Sequence, residues 1–259
     1  MGRRHLFEIE DLPWFPQCIR SSMQDQLTFM GNLSTPAYKA FVAKLKNAME
    51  GVGQRDLLDL CSGAGGPVRT ILKLLHAQGL TARARVSDLF PNIAAYRRLE
   101  QESENMIHGV DYPVDATNVP PEFNGFRLLA NGFHHLRPAD ALKVLADAVA
   151  KRQGIAVIEM VNRSALAVVG VCIGVALVPL AAPFLKPFRV SRLFFTYVAP
   201  LVPLCMLWDG VVSCLRVYSP AELQGLVAQL GPTGYDWDIG EIRVGPGVAT
   251  YLIGAPKTN

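Results

Sequence analysis

Asp56-Leu57-Leu58-Asp59-Leu60-Cys61-Ser62-Gly63-Ala64-Gly65-Gly66-Pro67 is the stretch on which the fold class turns. Leu57 to Leu60 read as a short buried strand, and the small residues after it let the chain turn sharply and approach a ligand closely. Gly66 and Pro67 open a helix, because proline at the first helical position gives up an N–H that has no partner there. Val68, Ile71, Leu72 and Leu75 then fall on one helical face. A strand, a glycine turn and a helix N-terminus in succession offer free N–H groups to an anionic or zwitterionic ligand.

Two common ligand classes are disfavoured. A dinucleotide fingerprint wants a third glycine where Val68 stands, and a P-loop wants a lysine after the glycines, which is missing. The pattern resembles instead the first motif of class I S-adenosylmethionine-dependent methyltransferases of the small-molecule type. Asp59, Gly63 and Gly65 occupy that motif, while Cys61 replaces its first glycine. Arg85 to Phe90 reads as a second strand ending in an acid, and the resemblance gives Asp88 to the cofactor's ribose hydroxyls, with Leu89 beside it in the cofactor site. Tyr112 to Pro120 resembles the loop whose aspartate and following backbone meet the adenine, here Asp115 and Ala116. Gly125 to Leu136 reads as a fourth strand running into Asn131-Gly132-Phe133-His134-His135-Leu136, similar to the Phe-His-His-Leu step of several members. The cofactor implied is S-adenosyl-L-methionine, held by Asp59, Ser62, Gly63, Gly65, Asp88, Leu89, Asp115, Ala116 and Asn131. No metal is expected.

Strands alternate with helical segments along the chain, so the expected fold is α/β, a mostly parallel sheet with helices on both faces, and the resemblance implies that it is Rossmann-like and seven-stranded. Pro138 to Lys151 is an alanine- and leucine-rich helix, and Gly154 to Met160 the fifth strand. Tyr235 to Val244 and Val248 to Gly254 flank Gly245-Pro246-Gly247 and predict an antiparallel C-terminal hairpin. The resemblance places its last strand between strands five and six. The organisation expected is an N-terminal helical cap over 1–49, a methyltransferase core over 50–164 and 217–259, and an apolar helical insertion over 165–216. Helices are expected from Ser21 to Met30 and from Thr35 to Met49.

A chain of 259 residues has room for one such domain with additions, and its net charge of +3 is too small and dispersed for a nucleic-acid surface. Five widely spaced cysteines, an odd number with no Cys-x-x-Cys pair, fit neither a metal site nor a disulfide framework. Arg3 and Arg4 are followed by no apolar run, so a secretory signal is not expected and a cytoplasmic location is.

The insertion is the unusual part. Ala165 to Leu185 carries no charge, and at ~1.5 Å per helical residue it matches a bilayer's hydrocarbon core. Leu193 to Trp208 is a second apolar run, broken by Pro200 and Pro203, after a connector bearing Lys186, Arg189 and Arg192. Three readings stand: a transmembrane hairpin, a monotopic patch on a membrane surface, or a lid or homodimer surface covered by protein. The last is preferred, because the resemblance places such insertions over the substrate cleft. Each reading points to a lipophilic partner.

Methyl transfer asks the protein to align an acceptor, exclude water and, for a phenol, enol or amine, provide a base. His134 and His135 are the candidates, since imidazole titrates near neutrality. His135 is read as the base and His134 as orienting the substrate or loop; the alternative is that both only hold the loop. Trp14, Tyr38 and Glu159 are candidate substrate-binding residues, with Met23 and Phe29 as further pocket walls. Asp209, just past the second apolar run, is a weaker candidate for the same cleft, because exposed Asp-Gly turns are common. The function expected is methylation of a small lipophilic biosynthetic intermediate at oxygen or carbon. The alternatives are a cyclase or isomerase that binds the cofactor without methyl transfer, and a membrane- or partner-binding protein on the same core.

Overall fold

A computed structural model describes residues 2–32, 35–244 and 247–257. Helices α1 (Gln17–Asn32) and α2 (Thr35–Gly51) lead into β1 (Leu57–Asp59), α3 (Gly66–Ala77), β2 (Ala84–Val86), α4 (Ile93–Glu102) and β3 (Ile107–Gly109). Then come β4 (Phe126–Ala130), α5 (Pro138–Ala150) and β5 (Ile155–Glu159). The insertion comprises α6 (Ala165–Ala176), α7 (Val178–Ala181), α8 (Val190–Leu193), a π-helical turn (Phe194–Val198) and α9 (Leu201–Arg216). The chain closes with α10 (Pro220–Gln229), β6 (Tyr235–Val244) and β7 (Gly247–Pro256).

The strands form one sheet in the order β3-β2-β1-β4-β5-β7-β6. Only β7 runs antiparallel, pairing Ile155 with Gly254 on one side and Tyr235 with Pro256 on the other. Alternation along β1 sends Leu57 to a core built with α2, α3 and α4, and Leu58 to a second core built with α5 and α10. Both faces are covered at β1 and β5, which is why those strands are buried along their whole length and read as apolar runs ending in an acid. The expected Rossmann-like sheet and antiparallel hairpin are present. Gly245 and Pro246, at the expected hairpin tip, lie outside the described residues.

The helix starts follow local chemistry. Asn92 accepts the Ala95 N–H at 3.2 Å, Ser164 accepts that of Ala167 at 3.1 Å, and Ser219 with Glu222 closes a reciprocal cap on α10. Helix α1 begins earlier than expected, because Pro16 carbonyl bonds carry it back to Gln17.

Two expectations for the outer elements are corrected. The uncharged run 165–185 is not one helix: it breaks at Leu177, and α7 restarts with Pro179 in its first turn. The second run breaks at Pro200 as expected, bending by 79° there, while Pro203 falls inside the first turn of α9; among the described residues no single helix is long and apolar enough to cross a membrane. Helix α2, grouped with the cap from sequence, packs into the sheet's first core, while α1 joins the insertion. Phe15, Ile19 and Met23 meet Val175, Val178, Val202 and Met206 in a third core. Gly174 admits Met30 from α1, and Gly210 admits Val171, each too close for a Cβ.

Candidate active site

The loops at the C-terminal ends of β1, β2, β4 and β5 converge where open α/β sheets bind ligands. Cys61 sits at φ +55°, in the left-handed region that favours glycine, which is the physical reason the resembled motif has a glycine there. Gly65 caps α3 at φ +71° and lies under Leu99, whose Cδ1 would be 2.3 Å from a Cβ. Asp59 is buried at the end of β1 and accepts the Ser62 hydroxyl. Burial pushes its carboxyl up to about 7 against that bond, with the Asp88 charge adding to the rise.

Asp88 accepts the Gly63 N–H and the Phe90 N–H, each at 2.9 Å, so one carboxylate ties the glycine turn to the loop after β2. Leu89 beside it is exposed. Val114 N–H reaches the Asp88 carbonyl at 2.9 Å and joins the third loop. There Asp115 is exposed and turned onto Thr117, and Ala116 is buried. Asn131, at φ +58°, donates to Tyr38 Oη at 3.1 Å and accepts Met160 N–H at 2.8 Å. A Cβ on Gly132 would stand 2.9 Å from Cys61 Cβ, so the histidine turn abuts the glycine turn. The cap closes on the same place: Thr28 of α1 rests on Gly66, and Gln24, bonded to Asn92, lies over Gly63.

The two histidines lie against each other on one 3₁₀ turn, Phe133–His135, with ring centroids 4.3 Å apart, and both face Glu8. His134 is buried; Glu159 accepts its backbone N–H at 3.0 Å and meets Nδ1 at 2.7 Å. Glu159 is therefore spent on His134 and does not line an open substrate pocket, as the sequence had suggested. The His134 Nε2 faces Glu8 Oε1 at 3.7 Å. His135 Nδ1 meets Asp11 Oδ1 at 2.8 Å and Glu8 at 3.3 Å. Burial alone would lower its pKa, but the Asp11 bond and the charges of Glu8, Asp11 and Glu10 prevail and raise it to about 10.

Glu8 and Asp11 belong to an N-terminal strap that sequence reasoning missed. Arg216, buried at 2 % exposure near the end of α9, reaches Asp11 at 2.9 Å, Glu8 at 3.2 Å and the His135 carbonyl at 2.9 Å. Arg3 donates to the Leu136 carbonyl at 2.9 Å and stacks on Tyr218. Asp209 is not an exposed turn: it lies buried in α9 and accepts the Ile9 and Glu10 N–H groups at 2.6 and 3.1 Å. Trp14, expected in the pocket wall, stands 73 % exposed, and Phe15 turns inward instead.

The strap's charge pattern makes it pH-sensitive. A raised histidine pKa gives stability present below 6.5 and lost as pH rises through about 10. Burial raises Glu10 to about 7 and Asp209 to about 6, so their neutral forms hold the strap at low pH and their ionisation weakens it. All three act in one direction. Amide exchange at Ile9 and Glu10, corrected for intrinsic rate, is expected to accelerate from mildly acidic pH toward pH 10; flat protection would show that these groups do not hold the strap.

No protein-family model and no curated protein matches the sequence. Solved structures do match. The plantazolicin methyltransferase BpumL, solved with SAH, superposes with TM-score 0.54 at 10% identity, over 92% of this chain and 95% of that one. Human N-acetylserotonin methyltransferase, solved with SAM, gives TM-score 0.50 at 17% identity over 93% of this chain and 58% of that one. The chain spans about half the length of several other methyltransferases it matches. Together with the strand order, these likenesses show the class I SAM-dependent methyltransferase fold.

Proposed function

We propose that this chain is an S-adenosylmethionine-dependent methyltransferase acting on a small lipophilic acceptor at oxygen or carbon. The observation that carries the reading is the meeting of the Asp88-braced glycine turn with a buried His134–Glu159 pair at the carboxyl edge of the sheet. The residues fit the cofactor. Gly63 and Ser62 border the place for its amino-acid end, Gly65 lets Leu99 pack against the turn, Asp59 shapes that turn, and Asp88 offers acceptors for ribose hydroxyls. Leu89 and Ala116 offer apolar surface and Asp115 a carboxylate for the adenine, with Asn131 bordering the crevice. When bound, the cofactor supplies an electrophilic methyl group, already activated by the sulfonium.

His134 is the better base of the two. With Nδ1–H donated to Glu159, Nε2 keeps its lone pair and takes the acceptor's proton, and the carboxylate steadies the imidazolium formed. With the strap closed, His135 is raised to about 10 by the strap's own carboxylates and is protonated at neutrality, so it accepts no proton in that state. Its role is to hold the strap through Asp11, which exchanges the roles expected from sequence. Glu8 stands before His134 Nε2, so the strap withdraws to admit the acceptor and returns to exclude water.

Calorimetric titration with S-adenosylmethionine and S-adenosylhomocysteine tests the reading. Micromolar binding is expected, and Asp88→Ala is expected to weaken it by about 1–3 kcal/mol through loss of the ribose acceptor. Asp88→Asn, which keeps one oxygen to receive the Gly63 N–H, should lose less. Absence of binding by the wild type would sink the methyltransferase reading; equal affinity in Asp88→Ala would move the ribose elsewhere.

A further inference from the structure

The insertion leaves a broad apolar surface that the catalytic reading does not use. Leu166, Val169, Ile173, Leu177 and Leu180 form one exposed stripe along α6 and α7. Leu201, Leu204, Leu207 and Trp208 form another on α9, opposite the face carrying Val202, Cys205 and Met206 into the third core. Between them the connector lifts Phe184, Phe188 and Val190 to 83, 64 and 73 % exposure. Monomeric proteins seldom expose contiguous apolar patches beyond a few hundred Å², and larger ones mark contact with protein or lipid.

Charge favours lipid over a second copy of the chain. From residue 160 to 208 there are four basic residues and no acidic one, more than the whole chain's net charge of +3. At the base of the connector Arg189 and Arg192 share a single carboxylate, Asp25, at 2.8 Å each, with Arg98 at 3.9 Å. Lys186 is exposed between Phe184 and Phe188. Lys186 and the partly exposed Arg189, with Arg192 buried beneath them, form a positive collar beside the protruding aromatic side chains that complements an anionic headgroup layer over hydrocarbon. On the same face a groove of about 550 Å³ between α1 and α7, walled by Phe29, Leu177, Leu180 and Phe184 with Lys186 at its edge, has the lining an acyl chain needs.

We infer that residues 165–208 dock this protein monotopically on an anionic phospholipid bilayer. Phe184, Phe188 and Val190 enter the hydrocarbon boundary and the α6 and α9 stripes lie along it. This rests on the insertion alone, whatever reaction the crevice performs.

Flotation of the full chain with phosphatidylcholine vesicles, with and without phosphatidylglycerol, tests it, with sedimentation velocity in parallel. The protein should float with the vesicles, more strongly with phosphatidylglycerol, and less at high salt because the collar is screened. The triple variant Phe184→Ser, Phe188→Ser, Val190→Ser alters only exposed side chains, so it keeps its fold and its crevice. It should lose vesicle affinity by about tenfold or more, given three large side chains that no longer leave water. Wild-type protein left in the soluble fraction with both vesicle types overturns the inference. So does flotation undiminished in the triple variant. A dimer that the triple variant dissociates, without vesicle binding, would assign the surface to a second copy.

Discussion

Alanine at His134 is expected to lower turnover by about 10²–10⁴-fold while leaving S-adenosylmethionine affinity near that of the wild type. The argument lies in how the two imidazoles are spent. His134 has one nitrogen fixed by Glu159 at 2.7 Å, and its other nitrogen is the one that an acceptor meets when Glu8 withdraws. His135 has its nearest nitrogen fixed by the strap and is held protonated. Glu159→Gln should fall between wild type and His134→Ala in kcat with KM little changed, as expected of a positioning residue. His135→Ala should retain most of the chemical rate and instead speed amide exchange at Ile9 and Glu10. Turnover preserved in His134→Ala but abolished in His135→Ala would reverse the assignment. Loss of cofactor binding in His134→Ala would make the residue a support of the loop.

The sheet and its crevice were legible in the sequence because their signals are local. A strand, a turn of small residues and a proline-started helix sit within one run from Asp56 to Pro67. Asp88 and Asp115 each follow a strand-like run at the edge where ligands bind. The choice between His134 and His135 was not legible, since the two adjacent rings share Glu8 and differ only in their further partners, which lie far off in sequence. Glu159 is 25 residues from His134, and Asp11 is 124 from His135. The strap was hidden for the same reason: Glu8, Asp11, Ile9 and Glu10 have no periodicity, and their contacts cross about two hundred residues. One signal was available. Asp209 and Arg216 are the only charges in the otherwise apolar run from Leu193 to Val217. A charge buried in an apolar helix implies a partner elsewhere. The length of the first apolar run misled for a complementary reason: composition suggested a membrane-length span, but the run breaks at Leu177 and restarts with Pro179 in its first turn.

Arg216→Ala is the substitution expected to cost the fold most. The guanidinium is buried between Glu8 and Asp11 and also donates to the His135 carbonyl, so it links the strap, the histidine turn and α9. Removing it leaves Glu8, itself 2 % exposed, as a buried carboxylate without its strongest counter-charge. Breaking one side of such a pair costs about 3–5 kcal/mol. In a chain of this size that lowers the melting midpoint by about 6–20 °C. Arg216→Lys keeps the charge but not the fork that serves two carboxylates and a carbonyl together, and should recover only part of the loss. The strap and the core can be separated in the readout. If the strap opens on its own, Ile9 and Glu10 amides exchange freely in Arg216→Ala while the β4 and β5 amides stay protected, and the midpoint falls less than the pair's full cost. If strap and core unfold together, both sets lose protection in parallel. A midpoint near the wild type with Ile9 and Glu10 still protected would mean that Asp209 and the two histidines hold the strap without the arginine, and that its burial serves the acceptor site rather than the fold.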